Sequence, residues 1–125
     1  MTLPYGATVL EHFRRPRNQR TLEHPTSTRE GHNPLCGDRV RIELDVEGDM
    51  IRAAAFTANA CAICTASASL LTERVSGLSL ERASALTDEE TVAALGTELP
   101  AGRLLCAILP VRTLREALTG LVPTA

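Results

Sequence analysis

Residues 38–58 constrain the fold most strongly, because apolar and charged side chains alternate there. Aliphatic residues occupy every second position from Val40 to Val46, and arginine or acidic residues separate them. A period of two is typical of a strand with one buried face and one wet face. Residues 47–49 (Glu-Gly-Asp) supply a turn, and residues 50–58 have the composition of a second strand. The sequence therefore predicts an antiparallel hairpin.

Four segments have the period or the capping signals of helices: residues 5–15, 62–75, 87–95 and 106–118. The start of the last helix is placed near Cys106, because Pro110 lacks an N–H and fits best in a first turn. Residues 17–34 form a loop that is long for a compact domain, so part of it could be an edge strand. These elements predict an α+β fold with a small antiparallel sheet.

Composition indicates an ordinary globular chain with an aliphatic core. Of its 125 residues 44% are hydrophobic and 22% are charged, which excludes wholesale disorder. There are 18 Leu and 17 Ala, but only Tyr5, Phe13 and Phe56 are aromatic. Chains of this length commonly fold as one domain, so we expect a single domain over residues 1–125.

Charge and hydropathy exclude two classes of partner. The net charge is −2 and stacking aromatics are scarce, which argues against nucleic-acid binding. No apolar run approaches the roughly 18 residues of a membrane span, and residues 1–13 lack the features of a secretory signal. We therefore expect the chain in a reducing cytoplasm, where cysteines serve as ligands or nucleophiles more often than as disulfide partners.

Three of the four cysteines stand at positions that favour chemistry. Cys36 lies in a predicted turn with Gly37, and Asp38 adds a carboxylate two residues on. Cys61 and Cys106 are predicted at helix N-termini, where the helix dipole favours a thiolate. Three thiolates and one carboxylate suit a tetrahedral metal such as zinc, or an iron–sulfur cluster. The alternative is that these cysteines are small buried apolar residues.

The fourth cysteine, Cys64, completes a Cys-x-x-Cys pattern with Cys61. Such a pattern raises a thioredoxin-like redox interpretation, but that needs a βαβ unit and a hairpin is predicted here. Cys64 could instead be an alternate ligand, a disulfide partner of Cys61 under oxidation, or a packed core residue. His32 lies four residues before Cys36 and could reach a metal, although a solvated loop histidine is the competing interpretation. His12 and His24 have no partner visible in the sequence.

Four blocks of the sequence resemble the IscU/SufU/NifU N-terminal family of iron–sulfur cluster assembly scaffolds. They are residues 12–18 (HFRRPRN), 33–38 (NPLCGD), 61–69 (CAICTASAS) and 103–106 (RLLC), and the likeness runs from about residue 10 to 118. The resemblance implies a sheet of about three strands with helices packed on one face and the site at one end. It also implies that Cys36, Cys61 and Cys106 are the sulfur-accepting and cluster- or zinc-binding thiols. Asp38 is then the carboxylate ligand that keeps a cluster labile.

The sequence departs from the family pattern at several positions. Ala58 and Ala60 replace usual glycines, which would cost stability if those glycines have positive φ. Leu105 replaces the His or Lys before the third cysteine and removes a candidate nitrogen ligand. Residues 99–103 (LPAGR) keep only part of the chaperone-binding motif, so a chaperone interaction is doubtful.

The resemblance leaves different functions open. The first is a scaffold without turnover of its own, which accepts sulfur from a cysteine desulfurase, binds iron or a transient [2Fe-2S] cluster, and passes it to apo-proteins. Cys36 and Cys106 are the candidate sulfur acceptors. The second is a zinc-bound sulfurtransferase of the SufU type that activates its desulfurase without holding a cluster. The third is a degenerate paralogue that keeps the fold but does not transfer sulfur or clusters.

Overall fold

Three strands form the centre of the computed structural model, which describes residues 6–121. They are β1 (Ser27–Asn33), β2 (Asp38–Glu47) and β3 (Met50–Asn59), antiparallel in the order β1-β2-β3. The predicted hairpin is β2 and β3, and its turn uses the positive φ of Gly48 (63°). The edge strand β1 lies within the predicted long loop. The expected α+β fold with a three-stranded antiparallel sheet is confirmed.

Five α-helices accompany the sheet among the described residues. They are α1 (Ala7–Arg14), α2 (Ala62–Val75), α3 (Leu80–Ser84), α4 (Asp88–Ala94) and α5 (Leu104–Leu118), and a 3₁₀ turn (Ala101–Arg103) precedes α5. The bounds of α2 are those predicted, whereas α3 was not predicted. The helix expected over residues 5–15 is shorter, and Tyr5 lies outside the described residues. Thr87 caps α4 as expected, since its Oγ1 accepts a hydrogen bond from the Glu90 N–H at 3.1 Å.

One face of the sheet carries the core. Val40, Ile42 and Leu44 of β2 are fully buried there, because α5 packs against β1 and β2 while α2 packs against β3. Each such aliphatic side chain contributes about 1.5–3 kcal/mol of hydrophobic free energy when fully buried. The core is aliphatic, as the composition predicts, with Phe56 its largest side chain.

The opposite face of the sheet is only partly exposed to solvent. The chain that connects α1 to β1 runs from the β3 edge, where the Arg20 N–H donates to the Phe56 carbonyl at 3.0 Å, to the β1 edge. On the way, the Leu22 N–H donates to Glu43 Oε1 at 2.6 Å, and Glu43 is buried. Arg41 Nε donates to the other oxygen of that carboxylate at 2.9 Å. The outward-facing acid is therefore covered and satisfied rather than exposed as simple alternation predicts.

The predicted start of the last helix is wrong. Helix α5 begins at Leu104, so Pro110 is its seventh residue rather than a first-turn residue. Proline in a helix interior removes one backbone hydrogen bond, here the one that residue 110 would donate to the Cys106 carbonyl. Packing of α5 against the sheet and α2 compensates for that loss.

The two alanines in place of family glycines are not strained. Ala58 pairs with Val40 inside the β2–β3 ladder, and Ala60 packs against the core. Among the residues that the structure describes, Asn18 is the one non-glycine residue with positive φ (62°). The conditional expectation of left-handed strain at Ala58 and Ala60 is therefore not met. Within the same residues, no helix is long and apolar enough to cross a membrane.

Candidate functional site

The loop between β1 and β2 presents Cys36. The side-chain oxygen of Asn33 accepts a hydrogen bond from the Leu35 N–H at 3.1 Å, and the Asn33 carbonyl accepts one from the Gly37 N–H at 2.8 Å. Gly37 has φ of 75°, a conformation that favours glycine. The expected sharp turn at Gly37 is thus confirmed, and it leaves Cys36 exposed at the end of the sheet.

Asp38 begins β2 and is only 3% exposed. Its Oδ2 accepts a hydrogen bond from the Cys36 thiol at 3.0 Å, and the Cys61 Sγ lies 3.8 Å from the same oxygen. Its Oδ1 accepts one from the Cys61 backbone N–H at 3.0 Å. One carboxylate therefore joins the Cys36 loop to the start of α2.

Cys61 occupies the N-cap position of α2, with extended backbone angles. The sequence predicts this position, and the half-buried thiol lies beside Asp38.

Cys106 comes from the other side of the site, as the third residue of α5. Its Sγ lies 3.4 Å from the Cys36 Sγ, although the two residues are 70 positions apart. Cys106 has no exposed surface, so it forms the floor of the site and Cys36 its accessible rim.

The pKa of Cys106 is shifted in the opposite direction to the one that its position near a helix N-terminus predicts. Burial raises the pKa of Cys106, and its hydrogen bonds with Asp38 and Cys36 raise it further. The expected bias of Cys106 toward thiolate is thus wrong for the metal-free protein, because desolvation and a neighbouring carboxylate outweigh the helix dipole. Burial alone would also raise the pKa of Asp38, but hydrogen bonds from Cys106, Cys36 and the Cys61 N–H together lower it.

These side chains provide a donor set for a metal. Ligand atoms of Cys36, Asp38 and Cys106 all lie within 4.8 Å of one another, and within residues 6–121 no other group of three metal-ligating residues is this compact. Cys61 stands outside this group of three, but its Sγ lies 3.8 Å from Asp38 Oδ2, and with it the candidate set is three sulfurs and one carboxylate oxygen. That chemistry fits tetrahedral zinc or thiolate-ligated iron.

Cys64 is not part of that compact group. It is fully buried in the hydrophobic core, and burial, with the charges of Asp38 and Cys61, raises the pKa of its thiol. This geometry supports the packed-residue interpretation of Cys64. The β2–β3 hairpin precedes the Cys-x-x-Cys segment and the sheet is antiparallel, so the thioredoxin-like interpretation lacks its βαβ unit.

The histidines stand outside the compact group as well. His32 is exposed on β1, as the competing interpretation predicts. His12 is buried, and its Nδ1 lies 2.7 Å from the Ser69 Oγ, which also accepts a hydrogen bond from the Arg17 N–H at 2.8 Å. Burial and the nearby Arg17 charge lower the pKa of His12. The sequence gives no partner for His12, although His12 and Ser69 belong to two of the blocks that resemble the family.

Exposed leucines directly precede two of the site cysteines in the sequence. Leu35 is 83% exposed and precedes Cys36, while Leu104 and Leu105 precede Cys106 and are 47% and 41% exposed. Leu105 supplies no nitrogen or charge, as the departure from the family pattern indicates. Leu105 therefore adds no ligand to the cysteine sulfurs and the Asp38 carboxylate.

The fold and the site together define a class of protein: a small α+β domain with a thiol and carboxylate cluster at one end of its sheet. The comparison with known families agrees with that class. The sequence model described as NifU-like N terminal domain matches residues 4–121. The chain belongs to this family.

Curated relatives carry two kinds of name. The chain is 34% identical over 120 residues to "Iron-sulfur cluster assembly scaffold protein IscU" of Aquifex aeolicus, covering 94% of this chain and 76% of the relative. It is 34% identical over 77 residues to "Zinc-dependent sulfurtransferase SufU" of Bacillus subtilis, covering 62% of this chain and 52% of the relative.

A third relative is longer. The chain is 36% identical over 114 residues to "Bifunctional protein NifU/MnmA" of Rubrobacter xylanophilus, which covers 90% of this chain and 23% of that protein. The chain thus spans a quarter to a half of the length of two of these relatives.

A solved structure confirms the fold. A SUF-system scaffold protein from Fervidobacterium islandicum superposes with a TM-score of 0.76 at 22% identity, covering 91% of this chain and 96% of that one.

Proposed function

We propose that this domain is an iron–sulfur cluster assembly scaffold that accepts sulfur and holds iron or a nascent [2Fe-2S] cluster for transfer to apo-proteins. The observation that carries the proposal is the cluster of Cys36, Asp38 and Cys106, with Cys61 against the same carboxylate. The names of the IscU relatives support it.

The exposed rim thiol is suited to the first step. A cysteine desulfurase presents a persulfide, and the Cys36 thiolate attacks its terminal sulfur. A new sulfur–sulfur bond forms on Cys36, the sulfur–sulfur bond of the donor breaks, and the donor leaves as a thiolate. Cys106 lies 3.4 Å from Cys36, so it is placed to accept the sulfur next.

The mixed donor set suits cargo that must leave again. Thiolates bind iron tightly, whereas a carboxylate is a harder donor and its oxygen exchanges more readily on a thiolate-bound site. Asp38 is also held by the Cys61 N–H, so its carboxylate stays in place when cargo is released. An apo acceptor with its own thiolates can then replace this chain's ligands.

Anaerobic reconstitution with ferrous iron, cysteine, a cysteine desulfurase and a dithiol, which reduces the persulfide sulfur to sulfide, tests the proposal. We expect visible absorption and a Mössbauer doublet of a [2Fe-2S] cluster, followed by transfer to an apo-ferredoxin. A protein that stays colourless and takes up no iron contradicts the proposal.

The second candidate is a zinc-bound sulfurtransferase that activates its desulfurase without carrying a cluster. The donor set of three thiolates and one carboxylate fits tetrahedral zinc, and the SufU relative bears that name. Elemental analysis of protein purified without added metal separates the two candidates. One tightly held zinc per chain supports the sulfurtransferase, and labile iron supports the scaffold.

A further inference from the structure

Three separate segments carry the site thiols: the Cys36 loop, the start of α2 with Cys61, and the first turn of α5 with Cys106. A site built from three segments keeps its shape only if each pair of segments is fixed. Asp38 joins the Cys36 loop to α2 through the Cys61 N–H. Direct packing joins β1 to α5, where Gly31 lies against Thr113.

The third pair, α2 and α5, packs directly as well, and Ser67 adds a hydrogen bond between the two helices. Its Oγ donates a hydrogen bond to the Ala107 carbonyl at 2.6 Å, and both residues are buried. Ser67 is six residues along α2 from Cys61, and Ala107 directly follows Cys106. A buried hydrogen bond of this length fixes the distance between the two thiol-bearing helices.

Pro110 makes this contact more important than an ordinary interhelical hydrogen bond. Proline has no N–H, so it cannot donate the helical hydrogen bond to the Cys106 carbonyl. The first turn of α5, which carries Cys106, therefore has one helical hydrogen bond fewer. The missing bond is at the Cys106 carbonyl, next to the Ala107 carbonyl that Ser67 binds. The hydrogen bond from Ser67 on α2 to the Ala107 carbonyl adds a contact beside that missing bond.

We propose that Ser67 is a positioning residue of the thiol site. It holds the first turn of α5 against α2, so that Cys106 and Cys61 face one ligand position. The inference rests on the proposed function of this site and adds a residue that touches neither sulfur nor metal.

Ser67→Ala tests the inference, and Ser69→Ala is its matched control. Ser69 lies on the same helix, is equally buried and also anchors another segment, but its partners His12 and Arg17 are outside the thiol-bearing segments. Cobalt(II), titrated anaerobically, reports the ligand set through its sulfur-to-cobalt absorption. Urea unfolding of the metal-free proteins measures the structural cost of each change.

Both variants should unfold at lower urea concentration than the wild type. Only Ser67→Ala should bind cobalt about tenfold more weakly, as outer-sphere changes at metal sites commonly do. It should also lose about one third of the sulfur-to-cobalt absorption, because one of three thiolates is displaced. Equal cobalt spectra and affinities for Ser67→Ala and Ser69→Ala overturn the inference.

Pro110→Ala gives a second, independent test, including the case in which Ser67→Ala folds poorly. Alanine restores the N–H that can bind the Cys106 carbonyl. The double variant Ser67→Ala/Pro110→Ala should therefore recover part of the folding and of the cobalt affinity. No recovery in either quantity contradicts the role given to Ser67. Failure of the wild type to bind cobalt through sulfur contradicts the proposed function instead.

Discussion

Asp38 influences the site through charge as well as through position. Its carboxylate is hydrogen bonded to the thiols that it would have to share with a metal, and it raises the pKa of Cys106. Replacing it with Asn keeps an acceptor for the Cys61 N–H but removes the negative charge. The Cys106 thiol should therefore ionise more easily in Asp38→Asn.

We predict that Asp38→Asn lowers the pKa of Cys106, because the neighbouring negative charge that disfavours its thiolate is removed. Cys106 has no exposed surface, so its ionisation is followed by the ultraviolet absorption of the thiolate, as the difference between each protein and its Cys106→Ser form. The Cys106 thiolate should appear about one pH unit lower in Asp38→Asn than in the wild type. Asp45→Asn, a change elsewhere on β2, is the control. The same titration midpoint in the Asp38 variant and the wild type would contradict the prediction.

The strand geometry of Ala58 predicts whether a glycine at this position raises or lowers the free energy of unfolding. Replacing a glycine that has positive φ with alanine destabilises a protein. Ala58, however, has ordinary strand geometry in the β2–β3 ladder. Ala58→Gly should therefore lower the free energy of unfolding by about 0.5–1 kcal/mol, through backbone entropy. Urea unfolding measures it. A stabilised glycine variant would show that the alanine is strained after all.

At the scale of elements, α5 and β1 approach closely at Gly31. A Cβ at Gly31 would overlap the Thr113 Oγ1 and come within 3.2 Å of the Leu109 Cδ1. Gly31→Ala should thus cost about 1–3 kcal/mol of stability, as overpacking does. It should also weaken cobalt binding, because β1 leads into the Cys36 loop and α5 carries Cys106.

Gly102→Ala is the control for that change, since nothing lies within 4 Å of its added Cβ. The double variant Gly31→Ala/Thr113→Ala should regain part of the stability because the overlapping oxygen is removed. A Gly31→Ala protein as stable as Gly102→Ala would contradict the close packing of β1 on α5.

Helix α4 is held to α5 by Asp88. Arg115 Nη1 lies 2.7 Å from Asp88 Oδ1, and this hydrogen bond, with the Arg115 and Arg112 charges, holds the pKa of Asp88 below its ordinary value. A carboxylate with a lowered pKa stabilises the folded state above its unfolded pKa of about 4, and the stabilisation is lost as pH falls through the folded pKa.

Asp88→Asn should therefore lower the free energy of unfolding by about 1 kcal/mol at pH 7, and the difference from the wild type should shrink below about pH 4. Urea titrations between pH 2.5 and 7 measure it. Glu47→Gln, which removes an exposed partner of Arg52, should have little effect at any pH. A difference at Asp88 that stays constant with pH would rule out the ion pair as its source.

At the scale of the whole molecule, the local parts of the fold were predictable. The β2–β3 hairpin and α2 follow from period, turn and capping residues that lie close together in the sequence. The start of α5 was not predictable in this way, because tertiary packing tolerates Pro110 in its interior. The covered Glu43 likewise depends on Leu22, which is 21 residues away.

The site likewise has a part that the sequence predicts and a part that depends on contacts between distant residues. Position in a turn or at a helix start singled out Cys36, Asp38, Cys61 and Cys106, and the structure keeps each of them in such a position. The contact of Cys36 with Cys106 joins segments 70 residues apart, so spacing could not show how close the two thiols lie. Ser67 was missed because its partner is a backbone carbonyl, which leaves no signal in the sequence.

The central claim is that Cys36, Cys61 and Cys106 form one cluster-building site and that Cys64 stands outside it. Anaerobic reconstitution of four single Cys→Ser variants with ferrous iron, cysteine, desulfurase and a dithiol reductant tests it most directly, with Mössbauer spectroscopy as the readout. We predict loss of the cluster signal in Cys36→Ser, Cys61→Ser and Cys106→Ser, and a wild-type signal in Cys64→Ser. A full signal in any of the first three, or its loss in Cys64→Ser alone, would contradict the account.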